Sequence, residues 1–279
     1  MKTLAVTVII STYNSEAWLS KVLRGYSVQT YENFEVIVAD DGSGPATKTL
    51  INEFAKNYPV TLRHIWHEDQ GYRRQRILNL AILAAKNPYI LFTDGDCIPR
   101  PDFVEVHVQF AEKGFFLSGG YCKLSMSVSE AITDEDIFTA QCFKPSFLSN
   151  IGPLGWKQKL KLSAGKSLAN ILDFMTPTGA TFNNCNSSAW KEDLLAINGY
   201  DERMRYGGPD RELGERLVNL GIKSKQIRYR AICLHLDHAR GYKTKESLQR
   251  NLNIRKQTKT NKTVQTPHGI SQNESEVSS

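Results

Sequence analysis

No run of the 279-residue chain approaches the roughly 18 consecutive apolar residues of a membrane-spanning helix. The apolar opening, from Leu4 to Ile10, is short and passes into Ser11-Thr12-Tyr13-Asn14 without a small-residue cleavage site, so the reading is a cytosolic protein. Cysteine is sparse. Cys97, Cys122, Cys142, Cys185 and Cys233 are widely spaced and form no C-x-x-C pair, which excludes a zinc knuckle or dithiol couple and predicts reduced thiols. No internal repeat is present. No G-x-G-x-x-G follows the first predicted strand and no G-x-x-x-x-G-K-[ST] occurs anywhere, which removes dinucleotide and P-loop chemistry. What remains is ordinary globular material, 41% hydrophobic and 23% charged, enough for one large domain or two small ones and unlike disordered, collagenous or coiled-coil chains.

The net charge of +6 is unevenly spread. Residues 223–262 hold twelve Lys and Arg against Asp237 and Glu246, a local +10 that leaves −4 for the remainder. A basic segment on a mildly acidic body points to phosphate on a substrate, an anionic membrane surface or nucleic acid, with a solvated basic tail as the plain alternative.

Over the first 125 residues short β-rich runs alternate with helical patterns, the signature of βαβ units and a parallel sheet. Strands are predicted over 4–11, 34–40, 60–66 and 89–93 and near 115–125. Helices are predicted over 16–28, 46–57 and 72–86, with a fourth from Pro101 to Gly114. From 142 to 177 no clean period emerges, and the stretch reads as a polar insertion. After it come a short strand near 179–183, a helix over 188–196, the turn Gly207-Gly208-Pro209, a helix over 210–220 and a strand over 226–234. From Arg255 onward apolar side chains are almost absent, which predicts a disordered tail.

Acidic groups stand where strands end. Asp40-Asp41-Gly42-Ser43 follows the second strand and Asp94-Gly95-Asp96 the fourth, and in open α/β sheets both belong to the crevice beyond the strands' carboxyl ends. Each alone is only a turn signal. Together they are hard oxygen ligands for Mg²⁺ or Mn²⁺, able to neutralise a diphosphate leaving group. Arg73, Arg74 and Arg76 open the third helix, which suits a diphosphate at a helix N-terminus, although a solvated helix face is the simpler role. Trp156 and Trp190 are candidates for stacking on a sugar, with core packing the alternative for Trp190.

Four ordered blocks carry a resemblance: Val8-Ile9-Ile10-Ser11-Thr12-Tyr13-Asn14, Val36-Ile37-Val38-Ala39-Asp40-Asp41-Gly42-Ser43, Arg76-Ile77-Leu78-Asn79 and Leu91-Phe92-Thr93-Asp94-Gly95-Asp96. They resemble the successive signatures of family 2 inverting glycosyltransferases of the GT-A fold. Asn198-Gly199-Tyr200-Asp201-Glu202 and Gly207-Gly208-Pro209-Asp210-Arg211-Glu212-Leu213 resemble the C-terminal region shared by β-1,4-galactosyltransferases and chondroitin-polymerase-like enzymes.

The resemblance implies an α/β GT-A fold with a Rossmann-like, mostly parallel sheet flanked by helices and a basic C-terminal extension. It places a nucleotide-sugar half in 1–125, an insertion in 142–178, an acceptor half in 179–240 and a basic helix and tail in 241–279. Asp40 or Asp41 would hold uracil and ribose, Asp94 the ribose and donor sugar, and Ser11, Tyr13, Asn14, Arg73, Arg74, Arg76 and Asn79 would complete the donor site. Asp96 would bind the metal with His235 or His238. Asp210 stands where the family's general base stands. Pro209 replaces the Glu usual before that Asp, which leaves acceptor identity open. For Asp210 the plain alternative is helix capping. The expectation is transfer of a galactose- or N-acetylhexosamine-type sugar from a UDP-sugar, with Mn²⁺ or Mg²⁺, to a glycan or lipid-linked acceptor of a bacterial surface polysaccharide. The enzyme would be cytoplasmic and able to dock on an anionic membrane, with no nucleic-acid partner. The alternatives are a catalytically silent sugar-nucleotide binder and, through the basic segment, a nucleic-acid binder.

Overall fold

Strand β1 (Val6–Thr12) is apolar at most positions and buried throughout, as a central parallel strand covered on both faces must be. In the computed structural model, which describes residues 3–175, 179–238 and 244–272, it lies between β2 (Phe34–Asp40) and β4 (Tyr89–Asp94), parallel to both. The register sets Thr12 beside Asp40 and Ser11 beside Asp94, so three strand ends reach one edge together. Strand β3 (Leu62–Trp66) extends the sheet on one side; β8 (Ser187–Trp190), β6 (Phe115–Ser118) and β9 (Lys223–Gln226) extend it on the other. Only β8 runs against its neighbours.

Alternation along β1 feeds two cores. Val6, Val8 and Ile10 pack with α1 (Glu16–Ser27) and α4 (Phe103–Phe110), while Ile9 points to α3 (Arg74–Ala84) and the helices of the C-terminal half. Helix α2 (Pro45–Ala55) contributes Ile51 to the first core. A smaller sheet, β5 (Cys97–Pro99), β10 (Ile232–His235) and β7 (Gly120–Lys123), stands beside the larger one. The chain crosses from the large sheet to the small one at the Asp94-Gly95-Asp96 turn, directly after β4.

Several expected elements are redrawn. The run 115–125 is two strands in two sheets, broken at Gly119, where a Cβ would lie 2.1 Å from Asn186 Oδ1. The expected strand over 226–234 is likewise β9 and β10, separated by a turn. Residues 179–183 are loop, and the expected helix over 188–196 is β8 followed by α10 (Lys191–Ala196), because pairing between β4 and β6 buries Ser187, Ser188 and Ala189. The third helix starts two residues late and the fourth spans 103–110 only.

The insertion is helical. Short helices α5 (Met126–Ala131) and α6 (Asp134–Phe138) lead to α7 (Pro145–Ile151), α8 (Trp156–Ser163) and α9 (Lys166–Met175). The expected disorder from Arg255 is also corrected, for helix α12 (Lys245–Thr260) runs through it. It packs on α11 (Pro209–Asn219), and the chain beyond it stays ordered to Gln272. Two polar contacts and one apolar anchor achieve this. Thr258 donates to Glu212, Thr266 donates to Asp201, and Ile270 is buried against Gly199. Residues 239–243 of the basic segment and 273–279 of the expected tail lie outside the described residues.

Candidate active site

The strand ends open onto a cavity of about 1320 Å³. Ser11, Tyr13, Asn14, Asp41, Arg74, Asp94, Asp96, Asp210, His235 and His238, ten of the residues singled out in the sequence, all line it. The remaining four do not. Asp40 is fully buried, accepting from the Ser43 amide at 2.8 Å and from His64 Nε2 at 2.9 Å, so it shapes the turn that carries Asp41. Arg73 donates to the Glu68 carbonyl. Arg76 pairs with Glu202, and Asn79 binds the Tyr200 backbone from both of its amide atoms. Neither tryptophan serves the cavity either. Trp156 is on the surface, and Trp190 packs edge-on against Tyr89 beneath the Lys113 ammonium.

Asp41 is oriented by His67 Nε2 at 2.9 Å and the Arg73 amide at 3.1 Å. Next to it, Arg74 donates to Asp94 and to Ser11 Oγ, and Ser11 itself donates to Asp94 at 3.1 Å. Burial is the strongest single influence and works against the Arg74 charge, but Asp94, Tyr72, Tyr200 and Asp210 together outweigh it and hold the guanidinium protonated. Burial pushes the Asp94 carboxyl above its ordinary range against the pull of Arg74, and Asp96 adds to the push.

Asp96 follows β4 by two residues and faces the end of β10. Its Oδ2 lies 3.0 Å from His238 Nε2 and 4.0 Å from His235 Nε2, with the two imidazoles stacked 5.7 Å apart. His235 Nδ1 donates to the Leu236 carbonyl at 2.8 Å, which leaves Nε2 unprotonated in the neutral ring and turned toward Asp96. Asp96 also meets a burial penalty, yet the His238 hydrogen bond and the charge of both histidines hold it below the usual carboxylate range. Single donor atoms of Asp96, Cys97 and His235 lie within 4.8 Å of one another. Burial raises the Cys97 thiol well above its ordinary value, so sulfur stays protonated and the available donors are one carboxylate and two imidazoles. A carboxylate beside imidazoles is a donor set able to hold a divalent transition-metal ion.

On the opposite wall, Gly207 and Gly208 both take left-handed backbone, φ 110° and 89°, and swing the chain into α11 with Pro209 in its first turn. Asp210 follows, accepting from the Arg211 amide at 2.9 Å. Burial raises its carboxyl above the ordinary range, offset in part by that amide and by Arg74. A partly desolvated carboxylate with one local hydrogen bond is able to take a proton.

The cavity also has walls that the sequence did not announce. Lys161 comes from the insertion, Arg228 from the β9–β10 turn, and Leu248, Leu252 and Arg255 from α12. No motif flags them, because they belong to elements without family-like blocks. The basic segment is dispersed as well, with Lys225, Arg230, Arg255 and Lys259 each facing a carboxylate.

An open sheet of this order, six strands one way and one against, with a D-x-D turn at its edge, defines the GT-A fold. The S. aureus protein TarS in complex with UDP-GlcNAc superposes with a TM-score of 0.62, at 15% identity over 93% of this chain and 69% of that one. The Pyrobaculum calidifontis mannosyltransferase PcManGT, solved with GDP-Man and Mn²⁺, gives 0.57 at 18% identity, covering 91% and 61%. Residues 7–128 match the model of Glycosyl transferase family 2 and residues 170–239 the model described as the N-terminal domain of galactosyltransferase, so the chain carries a family 2 glycosyl transferase domain joined to a galactosyltransferase-type segment. Validoxylamine A glucosyltransferase of Streptomyces hygroscopicus subsp. limoneus is 27% identical over 78% of this chain, and the chondroitin synthase of Escherichia coli 31% identical over 80%. The chain spans 48% of the first relative's length and 33% of the second's.

Proposed function

We propose that the protein is an inverting glycosyltransferase that moves a sugar from a UDP-sugar to a hydroxyl of a glycan acceptor. One observation carries the reading: Asp41, Asp94 and Asp96 from strand ends line a single cavity with Asp210 from a helix start, and Arg74 interacts with both Asp94 and Asp210. Asp41 and its histidine support accept the donor's base and ribose, and Asp94, fixed by Arg74 and Ser11, meets the donor sugar. Asp96, His235 and His238 would hold Mn²⁺ or Mg²⁺, which when bound neutralises charge on the departing diphosphate. Asp210 accepts the proton of the acceptor hydroxyl as that oxygen bonds to the anomeric carbon. The carbon's bond to the diphosphate oxygen breaks with its electron pair leaving on UDP. A single displacement of this kind needs one base and inverts the centre.

The sugar is of galactose or N-acetylhexosamine type in this reading, and the acceptor is a surface glycan assembled at the cytoplasmic membrane face, a reading that the similarity to a chondroitin synthase supports. The rival is a sugar-nucleotide binder without turnover. Incubation with a panel of UDP-sugars separates the two, since slow donor hydrolysis needs no acceptor. Metal-dependent release of UDP from one donor is expected, and binding without release from every donor favours the silent binder. Calorimetry tests the metal role. Asp96→Ala is expected to remove the strengthening of UDP binding by Mn²⁺ while leaving metal-free binding intact, and an undiminished Mn²⁺ effect in the variant would reassign the ligand.

A further inference from the structure

We propose that the face formed by α8 and α9 docks on a bilayer carrying anionic lipids. The proposal deepens the reading of an acceptor held at a membrane, on which it rests, by naming the surface that meets the lipid.

Helix α9 is inside out. Its inward positions hold Ala169 and Asp173, and Asp173 accepts from the Tyr229 amide at 3.0 Å and pairs with Arg230 at 3.2 Å. Its outward positions hold Leu168, Ile171, Phe174 and Met175, which are 43%, 54%, 91% and 70% exposed. At about 100° per residue these four fall in an arc of roughly 120°. A helix in water turns its charge outward and its apolar stripe inward. Here the order is reversed, and a contiguous apolar stripe of this kind marks a surface meant to be covered.

Charge selects what covers it. From 137 to 172 the sequence has no acidic residue and five lysines: Lys144, Lys157, Lys159, Lys161 and Lys166. On α8, Lys157 and Lys159 are exposed beside Trp156, itself 70% exposed, and the Lys157 ammonium lies 5.4 Å from the indole centroid. Tryptophan and lysines thus run just ahead of the apolar stripe in the sequence, the composition of a segment lying in the headgroup region. Each lysine near the surface adds attraction to anionic lipid. A second copy of this chain would set lysines against lysines, which opposes self-association. The position is apt too, for Lys161 on α8 donates to the Tyr121 carbonyl and lines the cavity. Docking through α8 and α9 would therefore engage the same helix that supplies this part of the cavity wall.

The test is flotation of the full chain with vesicles of phosphatidylcholine alone or with about 30% phosphatidylglycerol. Flotation with the anionic vesicles, released by salt, is expected. Ile171→Ser with Phe174→Ser should lower the bound fraction about tenfold or more at unchanged Tm. Lys157→Glu with Lys159→Glu should erase the preference for anionic vesicles. The proposal is overturned if the protein ignores anionic vesicles, if either double variant binds as the parent does, or if sedimentation reveals a dimer that Phe174→Ser dissolves. UDP calorimetry on the same preparations keeps the two readings apart: lost flotation with intact UDP binding ends the docking surface alone, and lost UDP binding with intact flotation ends the transferase alone.

Discussion

Asp96 and Asp210 share one cavity and are driven in opposite directions. Burial disfavours the charge of both, but imidazoles reverse it at Asp96 while Asp210 has a backbone amide and a shared arginine. A base held above the ordinary carboxylate range must lose its proton before it can act, so kcat/KM should climb as pH rises through that elevated value and level off above it. Asp210→Asn keeps the shape and the helix start. It should lower kcat by roughly 10²- to 10⁴-fold, leave UDP affinity nearly unchanged and flatten the acid limb. The stability sign differs from that of activity. A carboxyl whose folded pKa is raised costs stability that sets in as pH passes its ordinary unfolded value and is complete above the raised folded value, so the Asn variant should show an equal or higher Tm at neutral pH. Near-native kcat would move the base elsewhere, with Asp201 and Glu212 bound instead to Arg203 and Arg216. The sequence disclosed which side-chain types stand at strand ends, because chain order and strand polarity determine that much. It could not separate Asp40 from Asp41, since both are buried and both bind a histidine, and only the folded turn shows that Asp41 alone reaches the cavity.

At the level of elements, α12 is the piece whose importance was least legible. Its polar composition resembles a solvated tail, yet Asn251 is fully buried and the two protons of its amide nitrogen are shared among the carbonyls of Arg205, Tyr206 and Gly207, which lie 2.9–3.1 Å away. These are the residues that lead into Asp210. Asn251→Ala should leave three carbonyls unsatisfied, cost about 1–3 kcal/mol of stability and loosen the turn. A lower Tm together with kcat reduced about tenfold and unchanged UDP affinity is the expected outcome, measured by thermal melts, turnover and calorimetry. The parallel strands, by contrast, were plain, because β1, β2 and β4 are short runs dominated by β-branched, aliphatic and aromatic residues. Strand β8 was hidden for the opposite reason. Ser187-Ser188-Ala189-Trp190 has no strand composition of its own, and its conformation comes from the two strands on either side.

For the molecule as a whole, the passage of the chain from the large sheet to the small one sets an order of assembly. Strand β5 leaves Asp96 in place early, but its partner β10 arrives 138 residues later, where Cys97 meets His235. A newly made N-terminal half therefore has its nucleotide carboxylates and only one of three candidate metal ligands. Closing so long a loop is slow, and helices and neighbouring strands form ahead of it. In refolding from denaturant, helical circular dichroism should recover before Mn²⁺-dependent UDP binding does, with metal-free UDP binding returning earlier than the metal-dependent part. Simultaneous recovery of all three would mean that the seam closes with the first collapse. On the proposed function, late closure would keep the growing chain from holding metal and sugar nucleotide together until the segment carrying Asp210 has also been made.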